Sequence, residues 1–154
     1  MGKDSQFGHA ALRKGRSSIH NQIYLITTVT TNREPIFQDW RLGRLLVHTL
    51  RRYQNAAETL CYVVMPDHLH WLMRLQAPFS LSQVVRGIKG SSSNEIRRYA
   101  GRSGPIWQRG FHDHALRTEE NLLSIARYVV ANPLRAGLVE KIGDYPLWDA
   151  IWLE

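Results

Sequence analysis

The chain has 154 residues, a formal charge of +7 and 44% hydrophobic residues, which marks a globular protein and not a disordered one. That length suits one domain with a substantial core, and no apolar run approaches the roughly 20 residues of a membrane span. The single cysteine, Cys61, excludes an internal disulfide and a Cys-rich zinc site.

Of the 20 basic residues, 16 are arginine and four are lysine. Guanidinium forks match phosphate oxygens in pairs, so this bias favours nucleic acid as the partner. No segment reads as a basic amphipathic membrane helix, so no membrane partner is expected. Met1-Gly2-Lys3-Asp4-Ser5 lacks the apolar core of a secretory signal, and a cytoplasmic location is expected.

Residues 1–18 form a basic tail carrying Arg13, Lys14 and Arg16, either frayed or a DNA-contacting arm. Residues 23–31 are β-branched and aromatic, the pattern of a first strand. From Asp39 to about residue 56, Leu42, Leu45, Leu46, Leu50 and Tyr53 recur at three and four, giving an amphipathic helix with Asp39 as cap. Residues 59–65 read as a second strand, with Cys61 a small core residue. Pro66-Asp67 breaks it, and His68 to Leu75 reads as its antiparallel partner.

That third strand carries the most informative pattern. Strand residues i and i+2 share a face, so His68 and His70 sit side by side while Leu69, Trp71 and Met73 line the opposite face. Two imidazoles at that spacing can share a metal ion, or the sheet face simply happens to carry both.

Ser80 caps a second helix whose apolar face is Leu81, Val84, Val85, Ile88, Ile96 and Tyr99. Its other side presents Arg86, Lys89, Ser91, Ser92, Asn94, Arg97 and Arg98. Arginines beside small hydroxyl residues suit a phosphate backbone, and also an ordinary polar face. Residues 107–117 read as a fourth strand. Within it His112-Asp113-His114 competes with His68 and His70 as a metal pair, and Trp107 is either core or a platform for an unpaired base. Thr118 caps a last helix running to about Asn132, where Pro133 ends it. Tyr128 and Asn132 share one of its faces by their spacing. Residues 139–154 read as an irregular segment whose aromatics, Tyr145, Trp148 and Trp152, dock on the body. No phosphate-binding Gly-rich loop is present, so no nucleotide cofactor is expected.

The order β-α-β-β-α-β-α predicts an α+β, ferredoxin-like antiparallel sheet with strand order 4-1-3-2. Residues 1–154 then form a single domain. The histidine strand is central, its histidine face open for a ligand or for the last helix.

Three motifs in order carry a family resemblance. They are Pro66-Asp67-His68-Leu69-His70, then Trp107-Gln108-Arg109-Gly110-Phe111-His112-Asp113-His114, then Tyr128-Val129-Val130-Ala131-Asn132-Pro133-Leu134-Arg135-Ala136-Gly137-Leu138. Over residues 24–138 the chain closely resembles the REP-associated tyrosine transposases, a branch of the single-tyrosine HUH transposases. The resemblance implies a metal-dependent enzyme that cuts and rejoins single-stranded DNA beside a REP-type hairpin through a 5′-phosphotyrosine. It implies Tyr128 as nucleophile, His68, His70 and Asn132 as ligands of Mg²⁺ or Mn²⁺, and a monomer in preference to a dimer. It leaves His112, Asp113 and His114 a supporting role. Arg109 and the tail basics join the second helix as DNA-contact candidates. A hairpin-binding protein that no longer cuts is the alternative reading.

Overall fold

Caps and alternation set where the elements start. The computed structural model describes residues 19–117 and 120–152. Its strands are β1 (Ile23–Val29), β2 (Ala57–Met65), β3 (His68–Leu75), β4 (His112–Ala115) and β5 (Trp148–Ala150); its longer helices are α1 (Trp40–Arg52), α2 (Leu81–Ala100) and α3 (Leu122–Val130). Asp39 caps α1 by accepting from the Arg41 amide. Ser80 caps α2 in a reciprocal box with Gln83. Gly101 ends α2 at φ 63°, a left-handed conformation that glycine adopts without a Cβ clash.

The sheet order is β4-β1-β3-β2-β5, with every neighbour antiparallel. The expected 4-1-3-2 order is present, and β3 is central. Leu69, Trp71, Met73 and Leu75 are buried with Leu46 and Leu50 of α1 and Val84 and Ile88 of α2. On the other face Leu72 packs with Leu60, Cys61, Val63 and Met65 of β2 and with Ala126 and Val129 of α3. The last helix therefore covers the histidine face. A fully buried aliphatic side chain contributes roughly 1.5–3 kcal/mol. α1 buries Leu42, Leu46, Val47 and Leu50, while α3 fully buries Ala126 and Val129, so α3 is the more weakly fastened layer.

The turn between β2 and β3 is pinned from outside. The Asp67 carbonyl accepts from the Thr30 amide at 2.9 Å, and the Pro66 carbonyl accepts from the Phe37 amide at 2.9 Å. Arg33 adds an ion pair to the Asp67 carboxylate at 3.0 Å.

Several boundaries differ from expectation. Strand β4 spans four residues, and Trp107 makes one isolated bridge to Thr30. The segment between them instead wraps Phe111 and Trp107 into the helix-side core. α3 starts after Asn121, whose side chain accepts from the Ser124 amide; Thr118, the expected cap, lies outside the described residues. The helix also breaks at Ala131, and a helical turn, Asn132–Arg135, restarts with Pro133 near its N-terminus. The C-terminal segment is not irregular throughout: β5 pairs with residues 61–63 of β2 and covers part of an otherwise open sheet edge. Tyr145 and Trp148 dock as expected, donating to the Val64 and Ile142 carbonyls, whereas Trp152 stays 37% exposed. Among the described residues no helix is long and apolar enough to cross a membrane.

Candidate functional site

The rings of His68 and His70 lie on the same face of β3, 4.7 Å apart between centroids and edge-to-face at 81°. Each is fixed through Nδ1. His68 Nδ1 is 2.7 Å from Asp67 Oδ1, and His70 Nδ1 is 2.9 Å from Thr27 Oγ1. With the proton on Nδ1, both rings offer the Nε2 lone pair, the tautomer a metal ligand needs. Burial pushes the His70 pKa down to about 4, helped by the charges of His68 and Arg135. His70 is thus neutral near pH 7. Burial pushes the Asp67 carboxyl up, but hydrogen bonds from His68 and Arg33 outweigh it and hold the pKa below the usual carboxylate value. A carboxylate behind His68 fixes the ring's orientation and favours the proton on Nδ1.

Among the described residues, no three His, Cys, Asp or Glu side chains converge on a metal position. Among those residues, a third protein ligand would be of another type. Asn132 fits by chemistry. Its Nδ2 donates to the Val129 carbonyl at 2.8 Å, which leaves the carboxamide oxygen as the available donor. Val129 itself is fully buried on the histidine face, so the backbone around Asn132 is anchored there.

Tyr128 stands on the outer side of α3 with 65% of its surface exposed. The Arg135 guanidinium carbon lies 3.7 Å from its ring centroid. The break at Ala131 means that Tyr128 and Asn132 do not share one uninterrupted helix, as their spacing had predicted.

The second histidine pair is built differently. His112 lies opposite Thr27, which lies opposite His70, so these residues share one row of the histidine face. Two strand spacings, roughly 10 Å, separate His112 from His70. His114 Nε2 sits 3.0 Å from the Glu120 carboxylate, and Glu120 also accepts from the Arg117 amide at 2.7 Å. His114 therefore fastens the connection from β4 to α3. Asp113 is half-buried opposite Ile26 on the helix side.

The polar residues of α2 divide into surface and scaffold. Arg86, Arg98 and Arg109 are exposed. Lys89 Nζ donates to the carbonyls of Gln108 and Gly110, at 2.7 and 2.6 Å, and tethers the 105–111 segment. Ser92 does not face solvent. It is fully buried and accepts from Trp107 Nε1 at 3.0 Å. An indole N–H taken into a core needs an acceptor, and Ser92 supplies it. Trp107 is accordingly a core residue and no stacking platform. Ser91 is half-buried beside Tyr53, and Asn94 accepts from Arg97 at 2.9 Å. Arg86, Lys89, Arg97 and Arg109 border a groove of about 480 Å³ between α2 and residues 105–111, with no acidic residue in its lining. Arg13, Lys14 and Arg16 lie outside the described residues.

Three contributors were not assigned a role from sequence: Thr27, Asp67 and Arg135. Asp67 precedes His68 and was visible as a neighbour. Thr27 becomes a partner only through the register that sets it opposite His70.

A family model described as Transposase IS200 like matches residues 18–132, a span that holds His68, His70, Tyr128 and Asn132. A protein of Haemophilus influenzae, provisionally named a REP-associated tyrosine transposase, is 30% identical over 99 residues, 58% of this chain and 56% of its own length. A REP-associated tyrosine transposase of Escherichia coli K12 is 29% identical over 90 residues, 58% of this chain and 52% of its own length. The chain thus spans about half the length of these curated relatives. The solved structure of a REP-associated tyrosine transposase bound to a REP hairpin shares the fold, with a TM-score of 0.68 at 23% identity over 86% of this chain and 79% of the other. With the family pattern running from before β1 to the end of α3, the chain belongs to the IS200-like transposase family.

Proposed function

We propose that this chain cuts and rejoins single-stranded DNA beside REP-type hairpins, with Tyr128 as the nucleophile. One observation carries the reading: His68 and His70, each fixed through Nδ1, occupy the sheet face on which the helix of Tyr128 packs. The hairpin ligand of the solved relative supports the same class of partner here. The groove bordered by four cations and no acid supports it by charge.

In this reading the phenolic oxygen of Tyr128 bonds to phosphorus and the bond from phosphorus to the 3′ oxygen breaks. The phenol proton is given up and the departing oxygen ends as a 3′ hydroxyl. The linkage keeps the energy of the phosphodiester, so a 3′ hydroxyl can reverse the step and rejoin strands without ATP. His68 and His70 through Nε2, and Asn132 through its carboxamide oxygen, would hold Mg²⁺ or Mn²⁺. Such an ion offsets the charge that builds on the phosphate oxygens. The neutrality of His70 keeps its lone pair available. Because α3 buries Val129 against its own β2, one chain supplies both tyrosine and histidines, which supports a monomer.

The test is a denaturing gel of the protein incubated with a labelled single-stranded hairpin oligonucleotide and Mg²⁺ or Mn²⁺. Wild type is expected to give a covalent protein–DNA band, and Tyr128→Phe none. Cleavage by Tyr128→Phe would move the nucleophile elsewhere. Binding without any adduct, across the hairpins tried, would favour a non-cleaving hairpin binder.

A further inference from the structure

Tyr128 poses a problem for the chemistry just proposed. A phenol 65% exposed on a helix has several staggered orientations open to it, and attack in line at phosphorus needs one. No core contact selects it. The contact that does is made by Arg135, whose guanidinium carbon sits 3.7 Å from the Tyr128 ring centroid. The backbone explains how Arg135 comes to lie there. α3 stops at Ala131, Pro133 restarts a short turn, and the Arg135 amide donates back to the Ala131 carbonyl at 3.0 Å. This turn returns residue 135 over residue 128. Among the described residues Arg135 makes no ion pair with an acid.

We propose that Arg135 is the positioning residue for Tyr128: it stacks on the phenol, fixes the orientation of the ring, and presents a cation to the phosphate. The role rests on the cleavage reading given above. Arg135 stands within the Tyr128–Leu138 motif that carries the resemblance, three residues past the 18–132 span of the family model. A guanidinium suits the task because its plane can stack on a ring while its edge still donates to an anion.

Two measurements separate this role from a general DNA contact. The first is the single-turnover rate of adduct formation at saturating hairpin oligonucleotide, beside the dissociation constant of the same oligonucleotide. Arg135→Gln is expected to slow the adduct rate by about 10²-fold, the scale of a misplaced reacting group. The dissociation constant is expected to change by less than about tenfold. Arg135→Lys is expected to recover part of the rate, since an ammonium keeps the charge but not the planar stack. The second is the NMR shift of the Arg135 side-chain N–H protons, which ring current displaces in the wild type and Tyr128→Leu releases, with or without DNA.

A wild-type rate in Arg135→Gln, or an equal loss of binding and rate, overturns the proposal. An absent ring-current shift with cleavage intact overturns the positioning alone. A shift that is present in a wild type forming no adduct overturns the role together with the cleavage reading.

Discussion

Asp67 decides what His68 can do. Its carboxylate lies 2.7 Å from Nδ1 and keeps the outer nitrogen free, while Arg33 neutralises the charge behind it. Partners of this kind typically control metal affinity by about 10–100-fold. Asp67→Asn is therefore expected to weaken Mn²⁺ binding by that factor, read by titration calorimetry on DNA-free protein. Unchanged affinity would remove Asp67 from the metal argument. His70 makes a separate prediction about pH. Its pKa is lowered by burial to about 4 in the fold, from an ordinary value of 6.5. Between those values the unfolded chain binds the proton and the folded chain does not, so stability falls as pH drops through this window. The loss is at most on the order of 3 kcal/mol. In metal-free protein, the urea midpoint should fall more between pH 7 and pH 4.5 for wild type than for His70→Gln. Equal falls would mean that the ring is not held neutral by its surroundings. The histidine spacing was legible in the sequence because period two is a local property. Thr27 was not, because it lies 43 positions from its partner His70. Ser92 was misplaced for a related reason. A run of hydroxyl residues shows its composition but not which member turns inward to meet Trp107.

At the scale of elements, α2 offers an internal comparison. Gly87 and Gly90 are both interior to the same helix, so either change to alanine gains helix propensity, by roughly 0.5–1 kcal/mol. Their surroundings differ. A Cβ on Gly90 meets nothing within 4 Å. One on Gly87 would come within 2.4 Å of the Tyr53 hydroxyl, where α1 leans on α2. Gly90→Ala is expected to raise the melting temperature by about 2–4 °C per kcal/mol gained. Gly87→Ala is expected to lower it, because Tyr53 must leave its place. Similar shifts for the two would show that Tyr53 yields without cost. Helix starts were legible where one capping residue stood alone, as at Asp39 and Ser80. The start of α3 was not, because Thr118 and Asn121 both suit a cap, and the helix starts after Asn121. Three-residue β5 carries too little alternation to be read locally. It exists because β2 has an edge to pair, which is a property of the assembled sheet.

For the whole molecule, the net charge of +7 says that anions are attracted but not where. The fold sorts the arginines. Arg102 is held by Glu34 at 2.8 and 2.9 Å, Arg74 by Glu58 at 2.8 Å and Arg52 by Glu95 at 2.7 Å. Lys89 holds the wall of its groove together through two carbonyls. Arg86 and Arg109 are exposed on that groove, which has no acid in its lining. If the groove takes the DNA backbone, these two account for released counterions and Arg102 does not. Each phosphate contact contributes about 0.7–0.9 to the slope of log affinity against log salt. The double change Arg86→Ala with Arg109→Ala should flatten that slope for a hairpin oligonucleotide by about 1.4–1.8. Arg102→Ala should leave it unaltered, and Lys89→Ala should lower thermal stability before it alters the slope. Fluorescence anisotropy at several salt concentrations measures all four proteins. A slope that the double variant does not change would place the DNA on another surface. The exposed basic residues of α3 and of the turn that follows it, Arg127 and Arg135, would then be the next to test.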